Sequence, residues 1–206
     1  MGFLLSLLGL VLVLSSEGFS ASDVLEKSAT AVAAQTDPAK LATLKGKRAA
    51  NPRVQRCVYW LATAEVAGIK PKEVLNRASQ INGTKGTPYA EFIEQGLLRN
   101  LKIAHELGLI NELGMEEMRR GKSATITLGP YAGQEATVDH IIPLSVCPEL
   151  DNQVLNHELL PSSLNSSKKD KVGQRQVTFA RELQGARLIS EQSCRQVELH
   201  LDQKTF

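Results

Sequence analysis

The chain has 206 residues, of which 42% are hydrophobic and 22% charged, which suits one globular domain with an extension and excludes a disordered polymer. The formal net charge of +2 and isoelectric point of about 8.4 do not by themselves mark a nucleic-acid binder, so a local basic patch has to carry any such function.

From Phe3 to Leu14 the sequence is an apolar run broken only by Ser6 and Gly9. Such a block is too short to cross a bilayer comfortably but suits the core of a signal peptide. Ser16/Gly18 or Ser20/Ser22 offer the small pair that cleavage needs, although no Lys or Arg precedes the run. Residues 1–21 are therefore expected to be a signal peptide, with a buried N-terminal helix as the alternative. The mature protein is expected to be exported, periplasmic or secreted, without stable membrane association. In an oxidising compartment two of Cys57, Cys147 and Cys194 can pair, and Cys147–Cys194 is the pair to test first; buried inert thiols are the alternative. None forms a Cys-x-x-Cys spacing, which argues against a zinc knuckle.

Residues 22–121 read as a helical region. Asp23 predicts a helix N-cap with Glu26 as its capping-box partner, running to Ala34. Gln35 to Asn51 reads as a looser stretch carrying Pro38, Lys45, Lys47 and Arg48. Pro52 then enters the first turn of a helix bearing Val54, Cys57, Val58, Leu61 and Val66, on which Tyr59 and Trp60 read as core. Pro71 opens a third helix that ends near Asn82-Gly83, and Pro88 a fourth, closed by Gly108, with His105 on its surface. A short helix spans about Met115 to Arg120, and Arg119, Arg120 and Lys122 form a small basic group. The pattern then changes to alternation: Ala124–Leu128 and Ala136–Val138 read as strands around a Gly129–Gly133 turn. Helices are expected again from about Ser162, from Val172 to Leu188 and from Ser190 to Leu201. The expected class is α+β, mostly helical, with a small β-hairpin-plus-helix core in residues 122–206.

The segment from Val138 to Lys171 holds the residue types that phosphodiester hydrolysis needs: a base, donors for a cation, and groups that fix both. His140 has the intrinsic pKa of a general base. Asp139 offers an anionic oxygen and Asn165 a neutral one, a set suited to Mg²⁺ rather than to zinc or copper. Neighbouring side chains on a regular strand point to opposite faces, so Asp139 and His140 are expected to share a site only where the strand ends. Lys168, Lys169, Lys171, Arg175, Arg181 and Arg187 set six positive charges against Asp170 and Glu182. They read either as a track for a phosphate backbone or as a solvated helix face.

Asp139-His140-Ile141-Ile142-Pro143, then Asn156-His157-Glu158-Leu159-Leu160-Pro161, then Leu164-Asn165-Ser166-Ser167-Lys168-Lys169, resembles the signature of the HNH endonuclease family. The match covers roughly a sixth of the chain. The resemblance implies a ββα-metal finger, with His140 as general base, Asp139 and Asn165 as ligands of a divalent metal, and Asn156 orienting the His140 loop. It implies a nucleic-acid partner, DNA before RNA, with Lys168, Lys169, Lys171 and Arg175 on the backbone and little sequence preference. The Cys-x-x-Cys pairs that brace many members are absent, so packing or a disulfide through Cys147 has to replace them. His157 is expected to face away from Asn156, at the surface or behind the site. A non-catalytic nucleic-acid binder on the same fold, or a secreted nuclease toxin or effector, are the competing expectations; protein partners stay open.

Overall fold

The structure, a computed structural model, describes residues 20–44 and 50–201. The expected leader therefore lies outside the described residues except for Ser20 and Ala21, as do Lys45, Lys47 and Arg48. Ser20 caps the first helix, α1 (Ala21–Thr36): its hydroxyl accepts from the Asp23 N–H at 3.1 Å, and the Asp23 carboxylate accepts from the Ser20 N–H at 3.0 Å. The capping box thus sits three residues earlier than the expected Asp23/Glu26 pair, because Asp23 serves as the N3 acid rather than as the cap. Asp37 then caps α2 (Pro38–Thr43), a short helix inside the stretch expected to be loose.

α3 (Ala50–Val66) buries Val54, Cys57, Val58 and Leu61 along one stripe. Tyr59 and Trp60 sit partly buried at the margin of the core rather than inside it. α4 (Pro71–Ile81) and α5 (Pro88–Glu106) start at their prolines, as expected. His105, near the end of α5, is an exposed residue paired with Glu65. Gly108 ends the α5 turn at φ +68°, and a Cβ there would fall 2.4 Å from the Thr127 hydroxyl, so only glycine fits. α6 (Glu112–Arg119) is capped by Asn111 and starts three residues before the expected Met115.

A three-stranded antiparallel sheet follows, ordered β1 (Ala124–Thr125), β2 (Glu135–His140), β3 (His157–Pro161). Strand β1 is shorter than the expected Ala124–Leu128. The β2–β3 register pairs Thr137 with Leu160, Asp139 with Glu158 and His140 with His157. β3 runs directly into α7 (Ser162–Lys168); α8 (Gln174–Gly185) and α9 (Glu191–Leu199) complete the chain. One hydrophobic core extends from Ala29 of α1 to Val197 of α9, through the helical region and the sheet alike.

So small a sheet leaves open edges, and helix side chains close them. On β3, Asn100 of α5 donates to the His157 carbonyl at 2.9 Å and accepts from the Leu159 N–H at 2.7 Å. On β2, where the β1 pairing ends, Gln55 of α3 donates to the Ala136 carbonyl at 2.7 Å, and beyond it Asn51 accepts from the Val138 N–H at 3.2 Å. Glu117 of α6 accepts from the Thr125 N–H of β1 at 2.8 Å. These contacts satisfy backbone groups that would otherwise be buried without partners. Among the described residues no helix is long and apolar enough to cross a membrane.

Candidate functional site

The β2–β3 hairpin carries most of the residues singled out above, and strand alternation divides them between two faces. On one face stand Thr137 and Asp139. Helix α7 lies across them: Asn165 donates its amide to the Thr137 hydroxyl at 2.9 Å, and the Lys168 ammonium meets the Asp139 carboxylate at 2.6 Å. The same ammonium also donates to the His140 backbone carbonyl. Asp139, Asn165 and Lys168 are thereby gathered by one short helix following directly from β3.

His140 leaves the opposite face. The strand stays regular through this residue, so its side chain is not brought beside the Asp139 carboxylate. The imidazole is 13% exposed and meets the ring of His157 edge-on at 4.7 Å between centroids. His140 Nε2 lies 2.9 Å and His157 Nε2 3.2 Å from one acceptor, the Asp151 carbonyl oxygen. A carbonyl oxygen only accepts, and it has two lone pairs. Both histidines therefore carry their proton on Nε2, which leaves Nδ1 as the basic nitrogen of His140.

His157 is fully buried against the His140 ring, so of its two expected placements, at the surface or behind the site, the second holds. Asn156 closes a 3-10 turn and β3 begins at His157. Burial, and then the nearby His140 and Arg53 charges, push the His157 imidazole down to about 3, against a smaller opposing pull from the Asp151 carbonyl. The linkage sign follows from that depression. Between about pH 6.5 and 3 the unfolded chain binds a proton at this position that the folded chain refuses, so stability is full above 6.5 and falls on acidification. The expected contribution is up to about 1.4 kcal/mol per pH unit across that window. Urea denaturation of the parent and of His157→Gln at several pH values checks it: an equally steep acid loss in both proteins refutes the assignment.

Asn156 clasps the loop that follows His140. Its side chain accepts from the Ile142 N–H at 2.9 Å and donates to the Ile142 carbonyl at 3.0 Å, with no solvent exposure. Arg53 of α3, also buried, donates to the Asn152 carbonyl at 3.3 Å, and Asn152 in turn donates to the Leu44 carbonyl at 2.8 Å. Further along the loop, Glu149 accepts from the Ser190 N–H and hydroxyl and from the Ser193 hydroxyl at 2.6–2.9 Å. This contact ties the loop to the start of α9, the place where a Cys147–Cys194 disulfide was the pairing to test first. All three cysteines are free and buried, and burial pushes the Cys57 thiol up to about 12. Bracing here is polar, not covalent.

Half of the expected basic track is engaged within the fold. Lys168 is paired with Asp139, Arg175 forks onto the buried Glu158 at 3.0 and 2.6 Å, and Arg181 pairs with Glu198. Lys169 and Lys171 are exposed. Arg119 and Arg120 both reach Glu116.

Among the described residues no three His, Cys, Asp or Glu side chains gather to hold a metal ion. The Asp139 neighbourhood offers a different donor set: one carboxylate, the His140 carbonyl and, on the same face where α7 meets Thr137, the Asn165 amide. An ammonium already bridges the first two, so the position accommodates a cation. All-oxygen donors with few protein ligands fit Mg²⁺, which keeps several of its waters. Sequence reasoning did not pick out Arg53, Arg99, Asn100 or Asp151; an antiparallel register counted back from His140 would have found His157. Compared with protein-family models, curated proteins and solved structures, the chain has no match.

Proposed function

We propose that the protein is an exported, metal-dependent endonuclease of the HNH type, hydrolysing phosphodiester bonds of DNA in preference to RNA and with little sequence preference. The observation that carries this reading is the packing of α7 across β2, which sets Asn165 and Lys168 on the Asp139 face while His140 ends the strand. The order strand, long loop, strand, helix from Glu135 to Lys168 is also that of a ββα-metal finger. Asp139 and Asn165 would hold the ion, which when bound supplies charge neutralisation at the phosphate and the departing oxygen. His140, its tautomer set by the Asp151 carbonyl, would take the proton of the attacking water on Nδ1, a role that requires its ring to swing from the opposite face of β2 toward the Asp139 side at the strand end. Asn156 keeps the following turn in place. Lys168, paired with Asp139 here, would with an ion on that carboxylate have its ammonium available for a phosphate oxygen.

A non-catalytic nucleic-acid binder is the second reading. It is favoured by the pairing of Lys168 with Asp139 and by the orientation of His140 away from that pair.

Incubating plasmid and RNA with the protein, in Mg²⁺ and in chelator, separates the two. Cleavage in Mg²⁺ that chelator abolishes is the expected result; binding without cleavage across Mg²⁺, Mn²⁺ and Ca²⁺ carries the second reading instead. Asp139→Asn and Asn165→Ala are each expected to move the Mg²⁺ titration of cleavage to higher concentration. If neither shifts it, the ligand roles are wrong.

A further inference from the structure

On the Asp139 side of the hairpin, α8 closes a cleft of about 360 Å³ lined by Arg99 of α5, by Ile141, two residues past Asp139, and by Gln174, Arg175, Thr178 and Glu182 of α8. Its two guanidinium groups are not equivalent. Arg175 is neutralised, because both its terminal nitrogens bond to Glu158, a carboxylate only 3% exposed. Arg99 has no such partner. Its Nη2 makes long contacts of 3.4 and 3.5 Å to the neutral carbonyls of Leu155 and His157, and its Nε is buried with no hydrogen-bond partner in the protein. Arg99, Arg175 and Glu158 together carry one uncompensated positive charge. Glu182 lines the same cleft, but the charged groups that act on Arg99 are Glu158 and Arg175. A guanidinium so poorly partnered is costly to hold in place, and an anion in the cleft, on the part of Arg99 that lines it, would offset that cost by compensating the charge. Burial also lowers the Arg99 pKa, in keeping with a cation short of compensation, although Glu158 partly offsets the effect.

We infer that this cleft is a phosphate subsite, anchored by Arg99, for a backbone phosphate flanking the one attacked at Asp139. The inference rests on the nuclease reading and adds to it a residue from a helix far outside the motif. A planar guanidinium presents parallel donors to two phosphate oxygens, whereas the lysines of α7 act as point charges. The cleft thus fixes the strand's register, and the Asp139 face performs the chemistry.

The test is binding of a fluorescent DNA oligonucleotide to the full chain in chelator, read by anisotropy between about 50 and 200 mM salt. Arg99→Gln is expected to weaken binding about tenfold and to lower the salt slope by about one. Arg99→Lys is expected to recover the slope but not the full affinity. Because Arg99 also touches β3 carbonyls, Thr178→Glu supplies an independent arm: it places an anion in the cleft from an exposed position and is expected to weaken binding comparably. Parental affinity and slope in both Arg99→Gln and Thr178→Glu overturn the subsite while leaving the nuclease reading intact. If the parent neither binds nor cleaves DNA, the nuclease reading fails, and a thermal shift by inorganic phosphate decides the cleft alone. A shift in the parent that both variants abolish supports an anion site; no shift in the parent overturns it.

Discussion

Replacing His140 with alanine is expected to lower plasmid turnover by about two to four orders of magnitude, the usual contribution of a general base. No other imidazole is placed to take over. His157 is its nearest neighbour, but it is fully buried and has its Nε2–H committed to the same Asp151 carbonyl. Removing the His140 ring leaves that carbonyl one donor, so the loop keeps an anchor and the loss is expected in turnover rather than in substrate affinity. Added imidazole should restore part of the activity, because the site retains its other groups. Parental digestion rates from a folded His140→Ala protein would sink the base assignment. A variant that loses DNA binding in the same proportion as turnover would instead make His140 a structural residue.

The second large effect concerns stability. Asn156→Ala is expected to cost about 2–4 kcal/mol, because it strands both the N–H and the carbonyl of Ile142 in a buried setting, at about 1–3 kcal/mol each. The side chain is fully buried and both its bonds are short, so no alternative partner is at hand. Asn156→Asp keeps the acceptor and loses the donor, and should fall between. Urea denaturation gives the measurement, and a loss below about 1 kcal/mol for the alanine variant would show that the clasp is dispensable. Since Ile142 lies two residues after His140, turnover by the alanine variant should fall even under conditions where it stays folded.

How much of this could be read from sequence depends on the distance over which each residue acts. Helices opening at Pro71 and Pro88 were legible because a proline and an apolar stripe are local signals. Asp139, His140, Asn156, Asn165 and Lys168 were legible as a set because one hairpin and its following helix bring them together. The edge-closing amides were not. Asn51, Gln55 and Asn100 sit on helices and act on strands 57 to 87 positions away, and a polar residue on a helix reads only as a gap in the apolar stripe. Arg99 was hidden in the same way. The separation of His140 from Asp139 needed the knowledge that β2 stays regular to its last residue, which no spacing rule supplies. The basic segment was legible only in part: its charges are visible in sequence, but the carboxylates that engage Lys168, Arg175 and Arg181 lie elsewhere in the chain.

Closing the sheet with helix side chains also governs how the protein can meet other molecules. Strand addition, whether by a peptide, a second copy or a growing aggregate, requires a row of free backbone donors and acceptors along an edge. Here Asn100 occupies that row on β3, Gln55 and Asn51 on β2, and Glu117 on β1. Recognition is directed instead to the helix-covered faces, and because Asn100 and Gln55 are themselves fully buried, losing one of these amides should show itself first as lost stability and only then, once the helix lifts, as self-association.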